Sequence, residues 1–357
     1  MGAFKNLIEP GSIVLAFTAG TLINRRRAIR EDEREVRAPL LAPSPRATSP
    51  QSLPSARPTY PDNSRFRDNL TSRFLAKFPF LIEIWYWNLT YWVYQLARAL
   101  TATLIRGNEA IFARAERHAI SILSFEKRLH IAIELPVQQY ILNKQPWLMP
   151  ILAKIYYSHI FVGVVFLVYI YAYLPIPTFR TIRRTLAANN LIAFLILTLY
   201  RVSPPRLLPP SYGYIDILHG GTSGGGGVDP GSAWTHNRFQ LTIAAMPSLH
   251  FGTSAFLALC LARSAPHRWL RAAAPLWPAA MLLTVLATAN HFVADAVVGA
   301  CVPALGWRVG RAWCLLEPVE AWAFWALRTE KPPALGERGP RSRRGSGESW
   351  KAAEFVV

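Results

Sequence analysis

Long apolar runs separated by basic segments constrain the fold of this chain more than any other feature of its sequence. Most runs approach the roughly 20 residues that a helix needs to cross a bilayer. Only 17% of the 357 residues are charged, whereas a soluble domain carries about 25%. The runs cover 7–23, 78–105, 147–174, 185–202, 249–262, 272–289 and 292–315. The pattern predicts an all-α fold, a polytopic bundle of membrane helices.

The same pattern divides the chain into four parts. Residues 1–23 are a candidate first transmembrane helix, although Glu9 and Pro10 interrupt it. Residues 24–74 are rich in Arg, Pro and Ser, which predicts a disordered linker. Residues 75–315 form the membrane domain, and 106–147 within it has the amphipathic pattern of one or two helices at the membrane surface. Residues 316–357 are predicted to be a basic, disordered tail.

The formal net charge of +18 fits a membrane protein better than a nucleic-acid-binding protein. Basic residues cluster in 24–77, 175–184, 263–271 and the C-terminal tail. With seven spans, all four segments face the cytosol, as the positive-inside rule requires. The chain offers no basic face on a soluble fold, so we predict no nucleic-acid partner. The three cysteines lie inside apolar runs and indicate neither a disulfide framework nor a zinc site.

Two histidines enter the membrane on the predicted non-cytosolic side. The motif "PSLH" places His250 at the start of the fifth run, and "NHFVADAVVGA" places His291 at the start of the seventh. Two spans joined by a short turn separate them, so both return to one membrane face. Asp295 is four residues after His291, where its carboxylate can accept the imidazole Nδ1–H and make Nε2 more nucleophilic. An ionisable residue within a span is costly, which makes Asp295 a functional candidate.

Arg206 and Ser248 complete this group of candidate residues. Arg206 lies between prolines in "RVSPPRLLPP", where a rigidly held guanidinium suits bidentate binding of phosphate oxygens. Ser248 is two residues before His250. Two His, one Asp, one Arg and one Ser on one side of a bundle fit phosphoryl transfer through a phosphohistidine.

A structural explanation stands beside each functional one. Ser248 could be a helix N-cap, and Asp295 could form a hydrogen bond between helices. Arg206 and Arg201 could be arginines that snorkel to the interface. His159 in "YYSHIF" either lines a lipid pocket or is a hydrogen-bonded histidine of the bundle.

The motifs "PPRLLPP", "AAMPSLHFGTSAF" and "NHFVADAVVGA", in this order, resemble the phosphatidic acid phosphatase type 2 superfamily. They are most similar to the branch that includes the fungal inositol phosphorylceramide synthases. The stretch "FEKRLHIAIELPVQQYILNKQPWL" before "YYSHIF" resembles the same branch. The resemblance covers residues 75–315 and implies a six-helix membrane core, to which residues 1–23 would add an extra N-terminal span.

The resemblance also implies a role for each site residue. His291 matches the nucleophile of the family, Asp295 its orienting carboxylate, and His250 the acid that protonates the leaving alkoxide. Ser248 and Arg206 match phosphate-binding positions.

Two positions depart from the pattern of the superfamily phosphatases. They carry a Lys seven residues before the motif arginine, where this chain has Leu199, and an Arg six residues before the nucleophilic His, where it has Val285. Arg201 is the candidate phosphate-binding residue that would compensate. Fewer cations put plain phosphatase activity in doubt.

The expected function is therefore an integral-membrane lipid phosphotransferase, similar to an inositol phosphorylceramide synthase. Its partners would be membrane lipids: phosphatidylinositol, ceramide or another phospholipid. A lipid phosphate phosphatase of the same superfamily is one alternative, and a non-catalytic lipid-binding protein or transporter is another. No metal or other cofactor is expected, because protein cations and helix dipoles would hold the phosphate. We expect the site on the lumenal or extracellular side of a Golgi or other endomembrane.

Overall fold

The computed structural model describes residues 2–25, 61–218 and 241–332, and this part of the chain is helical with no β-strand. In chain order the α-helices are α1 (Gly2–Ile23), α2 (Leu70–Lys77), α3 (Phe80–Ile105), α4 (Glu109–Arg128), α5 (Glu134–Lys144), α6 (Leu148–Tyr173), α7 (Ile176–Leu199), α8 (Leu249–Ser264), α9 (Arg268–Ala273), α10 (Leu276–Ala287), α11 (Val293–Val309) and α12 (Glu317–Ala326). The all-α membrane bundle predicted from the apolar runs is confirmed.

Among the described residues, three helical stretches are long and apolar enough to cross a membrane: α6, α7, and α9 with α10 taken together as Arg268–Ala287. The stretches Val293–Val309 and Ala312–Ala326 give a fourth if this pair, bent by 56°, is one span. The other predicted runs fall short for different reasons. Helix α8 has only 16 residues, the apolar part of α1 is only Pro10–Ile23, and α3 carries many polar side chains. The count of seven spans stays a prediction.

The segment 175–184, predicted to be a basic loop, lies in α7. This helix begins at Ile176, so only Leu174 and Pro175 separate it from α6. Arginine is a good helix former, and Pro177 in the first turn suits the start of a helix. The arginines therefore extend the helix beyond the apolar run, and Arg183 pairs with Glu83 of α3 at 2.5 Å.

Two segments predicted to be disordered hold each other in place. Helix α2 begins within 61–74, and the part of the predicted tail up to residue 332 contains α12. Arg67 forms two hydrogen bonds of 3.0 Å with the carboxylate of Glu330, and the Ser72 hydroxyl accepts one from the Glu330 N–H. Composition gave the wrong prediction here because these bonds join residues more than 250 positions apart. The rest of the predicted linker and tail, 26–60 and 333–357, lies outside the described residues.

The centre of the bundle is a close backbone contact between α8 and α11. A Cβ on Gly252 of α8 would overlap the carbonyl of Gly299 in α11, and a Cβ on Gly299 would overlap the carbonyl of Ser248. Small residues allow helices in a membrane to approach in this way. Both helices also pack against α7, while α10 packs against α6 and α8. The contact therefore fixes where the first turns of α8 and α11 lie relative to each other.

We predict that Gly299→Ala destabilises the protein by about 1–3 kcal/mol, the usual cost of forcing a group into a packed core. The control is Gly11→Ala in α1, where an added Cβ meets nothing within 4 Å and alanine is the better helix former. Thermal unfolding in detergent measures both variants. A Gly299→Ala protein as stable as Gly11→Ala would show that the backbones need not touch.

Candidate active site

The contact between α8 and α11 brings two histidines together. His250 is in the first turn of α8, and His291 lies two residues before the start of α11. Their ring centroids are 6.1 Å apart, and both side chains line one cavity. Residues 41 positions apart in sequence thus share one site, as the return of the chain to the same face predicts.

The tautomer of His291 is set by a backbone carbonyl. Its Nδ1 lies 2.7 Å from the carbonyl oxygen of Ala245, and only a protonated Nδ1 can donate to that acceptor. Nε2 is then the ring nitrogen left with a free lone pair. The side chain is buried, so the hydrogen bond and the surrounding packing hold the ring in place.

The predicted hydrogen bond from His291 to Asp295 is not formed. Asp295 Oδ2 lies 3.7 Å from the imidazole Nδ1 and instead accepts a hydrogen bond of 2.9 Å from the Phe292 N–H. Asp295 is in the first turn of α11, where the N–H groups have no partner within the helix. The spacing correctly predicts that Asp295 lies near His291. However, the imidazole N–H donates its hydrogen bond to the carbonyl of Ala245, and the carboxylate of Asp295 caps the helix.

His250 has two aromatic neighbours on α6. The ring of Tyr156 stacks on it with 4.2 Å between centroids, and His159 lies 5.0 Å away. His159 lines the cavity, and its buried Nδ1 has no hydrogen-bond partner among the described residues. Of its two sequence-based interpretations, the pocket-lining one agrees with this position. Both neighbours lie in the stretch "YYSHIF", but only the packing of α6 against α8 shows that they contact His250.

Arg206 lines the cavity and joins the loop before α8 to the turn before α11. Its Nε donates to Asn290 Oδ1 and its Nη1 to Asp216 Oδ2, each at 2.9 Å. Its backbone N–H also donates to the carbonyl of Ala289. Sequence reasoning missed Asp216, because nothing in "YGYIDIL" indicates which cation it would meet. The guanidinium is therefore oriented by a carboxylate that offsets its charge.

The structure does not bring Ser248 and Arg201 into the cavity. Ser248 is fully buried and is the N-cap of α8, where its hydroxyl accepts from the Phe251 N–H at 3.4 Å. Its own N–H donates to the carbonyl of Asp295. Arg201 presents its carbonyl to His118 Nδ1 at 2.8 Å, and its side chain does not line the cavity. The structure therefore shows Ser248 in the N-cap role, and the phosphate-binding roles of Ser248 and Arg201 stay predictions.

Two buried glutamates support the backbone immediately after His291. Glu134 Oε1 accepts from the Val293 N–H at 2.8 Å, and Glu126 Oε1 accepts from the Ala294 N–H at 2.7 Å. Both side chains are completely buried. They come from α4 and α5, the pair of helices predicted in 106–147. The sequence shows them only as part of an amphipathic pattern, so their role could not be inferred without the fold.

The cavity extends far beyond the histidines. Its volume is about 840 Å³, and its lining is mostly apolar and aromatic. Helix α3 forms one wall, with Trp87 and Tyr94 among its lining residues. The far end is polar, where Glu83 pairs with Arg183 and Tyr86 bonds to Glu320 of α12. An elongated apolar cavity with few polar groups suits a lipid-like ligand.

The metal-ligating side chains of the described residues are dispersed. Within residues 2–25, 61–218 and 241–332, no three His, Cys, Asp or Glu side chains are grouped as a metal site would require.

We predict that Glu126 makes stability depend on pH. Burial, together with the nearby carboxyl groups of Glu134 and Asp295, raises the pKa of the Glu126 carboxyl. The folded protein therefore holds a proton that the unfolded chain releases above about pH 4.5, so this contribution to stability falls as the pH rises. The slope is at most about 1.4 kcal/mol per pH unit.

Thermal unfolding of Glu126→Gln between pH 5 and pH 8 tests this expectation. The amide keeps an acceptor for Ala294 but cannot ionise, so the variant should lose less stability over this range than the wild-type protein. Glu109→Gln, on the exposed first turn of the same helix, is the control and should behave like wild type. If all three proteins show the same pH dependence, Glu126 does not carry a bound proton.

A comparison with known protein families matches the part of the chain that contains the two histidines. The model of the PAP2 superfamily matches residues 120–309, more than half of the 357 residues. This range includes His250, His291, Asp295 and Arg206, whereas α3 and α12 lie outside it. No curated protein and no solved structure matches the chain significantly.

Proposed function

Since the chain belongs to the PAP2 superfamily, we propose that it is a lipid phosphotransferase of the membrane that works through a phosphohistidine. The observation that carries the proposal is the pairing of His250 and His291 at one end of a large apolar cavity. Phosphatidylinositol is the proposed donor of the head group and ceramide the proposed acceptor. The superfamily as such supports a phosphatase or phosphotransferase acting on phosphoesters, and the transferase specificity is our addition.

The first half of the proposed reaction forms a bond between nitrogen and phosphorus. His291 Nε2 attacks the phosphorus of the donor with its free lone pair, while the bond from phosphorus to the glycerol oxygen breaks. His250 gives a proton to the departing oxygen, so the diacylglycerol leaves as a neutral alcohol. Positive charge develops on the imidazole of His291, and the carboxylate of Asp295 at 3.7 Å stabilises it.

The second half returns both histidines to their starting state. His250, now without its proton, removes the proton of the ceramide hydroxyl, whose oxygen attacks phosphorus. The bond between His291 Nε2 and phosphorus breaks, and the inositol phosphate group is transferred to the acceptor. Water would give hydrolysis by the same steps. An apolar cavity that a lipid fills excludes water from the intermediate, which favours transfer.

We predict that the purified protein transfers the head group of labelled phosphatidylinositol to ceramide faster than it releases phosphate from phosphatidic acid. His291→Ala should abolish turnover, and His250→Ala should lower it about 100- to 10,000-fold, the usual contribution of general acid–base catalysis. His267→Ala is the control, since His267 contacts Tyr169 outside the cavity.

Two results would count against parts of this proposal. Ready hydrolysis of phosphatidic acid without transfer to ceramide would identify a lipid phosphatase. Turnover that survives His291→Ala would exclude the phosphohistidine itself.

We also propose that the histidine end of the cavity faces the lumen of the Golgi or another endomembrane. The support is the distribution of basic segments. Residues 69–71, "NLT", match the acceptor pattern for N-glycosylation. Asn69 should remain unmodified in glycosylating microsomes, and a sequon inserted within 220–232 should be glycosylated. Endoglycosidase-sensitive mobility shifts measure both. A glycan at Asn69 would reverse the proposed orientation.

A further inference from the structure

In the part of the chain that the structure describes, four cations line the cavity, and three of them are paired with carboxylates. Arg183 pairs with Glu83, Arg184 with Glu317, and Arg206 with Asp216. The fourth is Arg98 of α3. Among the described residues no carboxylate pairs with it.

The polar contacts of Arg98 are few. Its Nη1 lies 3.4 Å from Gln95 Oε1, one turn away on the same helix, and its Cζ lies 5.6 Å from the ring centroid of Tyr94. Its Nε is buried and has no hydrogen-bond partner within 2–25, 61–218 and 241–332. A guanidinium without a carboxylate partner in an apolar cavity is energetically costly, because these weak contacts replace little of the hydration that it loses. Such a residue is a candidate for binding an anion that enters the cavity.

The position of Arg98 directs it toward the histidine end. Ala102 and Ile105, one and two turns further along α3, pack with Leu241 and Ile243 in the segment that leads into α8. Arg98, Tyr156 and His250 also line the same cavity. Arg98 and His250 therefore border the same end of the cavity, one from α3 and the other from α8.

We propose that Arg98 binds the phosphate of the lipid donor and is the cation that selects a phosphodiester. Arg206 is largely neutralised by Asp216 at 2.9 Å, so Arg98 contributes the one uncompensated positive charge of the described cavity lining. One positive charge matches the single negative charge of a phosphodiester. A phosphomonoester carries close to two negative charges at pH 7 and would keep one of them unmatched. The choice of lipid rests on the proposed function, whereas the binding of an anion does not.

The test measures binding in a protein that cannot turn over its ligand. In the His291→Ala background, short-chain dioctanoyl phosphatidylinositol and uncharged dioctanoylglycerol are titrated into the detergent-solubilised protein. Arg98→Gln should weaken binding of the phosphodiester about tenfold and leave binding of the diglyceride unchanged. Arg98→Lys, which keeps the charge, should recover most of the loss. Lys154→Gln is the matched control, because it removes the same charge from an exposed site on α6 that does not line the cavity.

Two further measurements separate this inference from its alternatives. Thermal unfolding without lipid should show Arg98→Gln at least as stable as the parent, since an unpaired charge has been removed. A marked loss of stability would make Arg98 a structural residue and overturn the proposal, as would unchanged phosphodiester binding. In the protein that retains His291, the substitution Arg98→Gln should raise KM for the phosphodiester more than it lowers kcat. If the wild-type protein turns over no lipid but the binding difference persists, the proposed function fails and the anion site stands.

Discussion

Helices α8 and α11 touch through their backbones, and the geometry of the site depends on this contact. Gly252 and Gly299 leave no room for a Cβ between the two helices, and the N–H of Ser248 donates to the carbonyl of Asp295 at 3.0 Å. The contact positions backbone atoms, and the side chains of His250 and His291 follow from it. A pair of catalytic groups needs placement within a fraction of an ångström. Two helices joined by their main chains provide that placement better than flexible side-chain packing would.

Beside this contact, acidic side chains accept hydrogen bonds from the start of α11. The first turn of α11 has N–H groups without helical partners, and a bilayer supplies no water to satisfy them. Asp295, Glu134 and Glu126 accept from three successive N–H groups, those of residues 292 to 294. The anchored segment begins at the residue after His291, so its backbone is held on one side by these carboxyls. On the other side the carbonyl of Ala245 holds the imidazole.

The sequence predicts those features that depend on local spacing and on the direction of the chain. The return of His250 and His291 to one end needs only the order of the apolar runs, and the proximity of Asp295 to His291 needs only helical periodicity. The acceptor of each hydrogen bond could not be predicted in this way. The imidazole N–H of His291 donates to the carbonyl of Ala245 and not to Asp295. The position of this carbonyl depends on a loop whose path cannot be read from the sequence.

The same reasoning explains the wrong predictions at the ends of the domain. A composition rich in Arg, Pro and Ser indicates that a segment can bury little apolar surface. It does not show that Arg67 of one segment forms hydrogen bonds with Glu330 of the other. Helix α12 reaches the polar end of the cavity, where Glu320 bonds to Tyr86 of α3. Helices α3 and α12 lie outside the region that matches the superfamily, which carries the histidines. The wall of the cavity that α3 forms therefore comes from outside the matched region, whereas residues of α6 within that region line the cavity beside the histidines. Under the proposed function, a substitution in α3 would alter which lipid fits without moving the pair of histidines that Gly252 and Gly299 position.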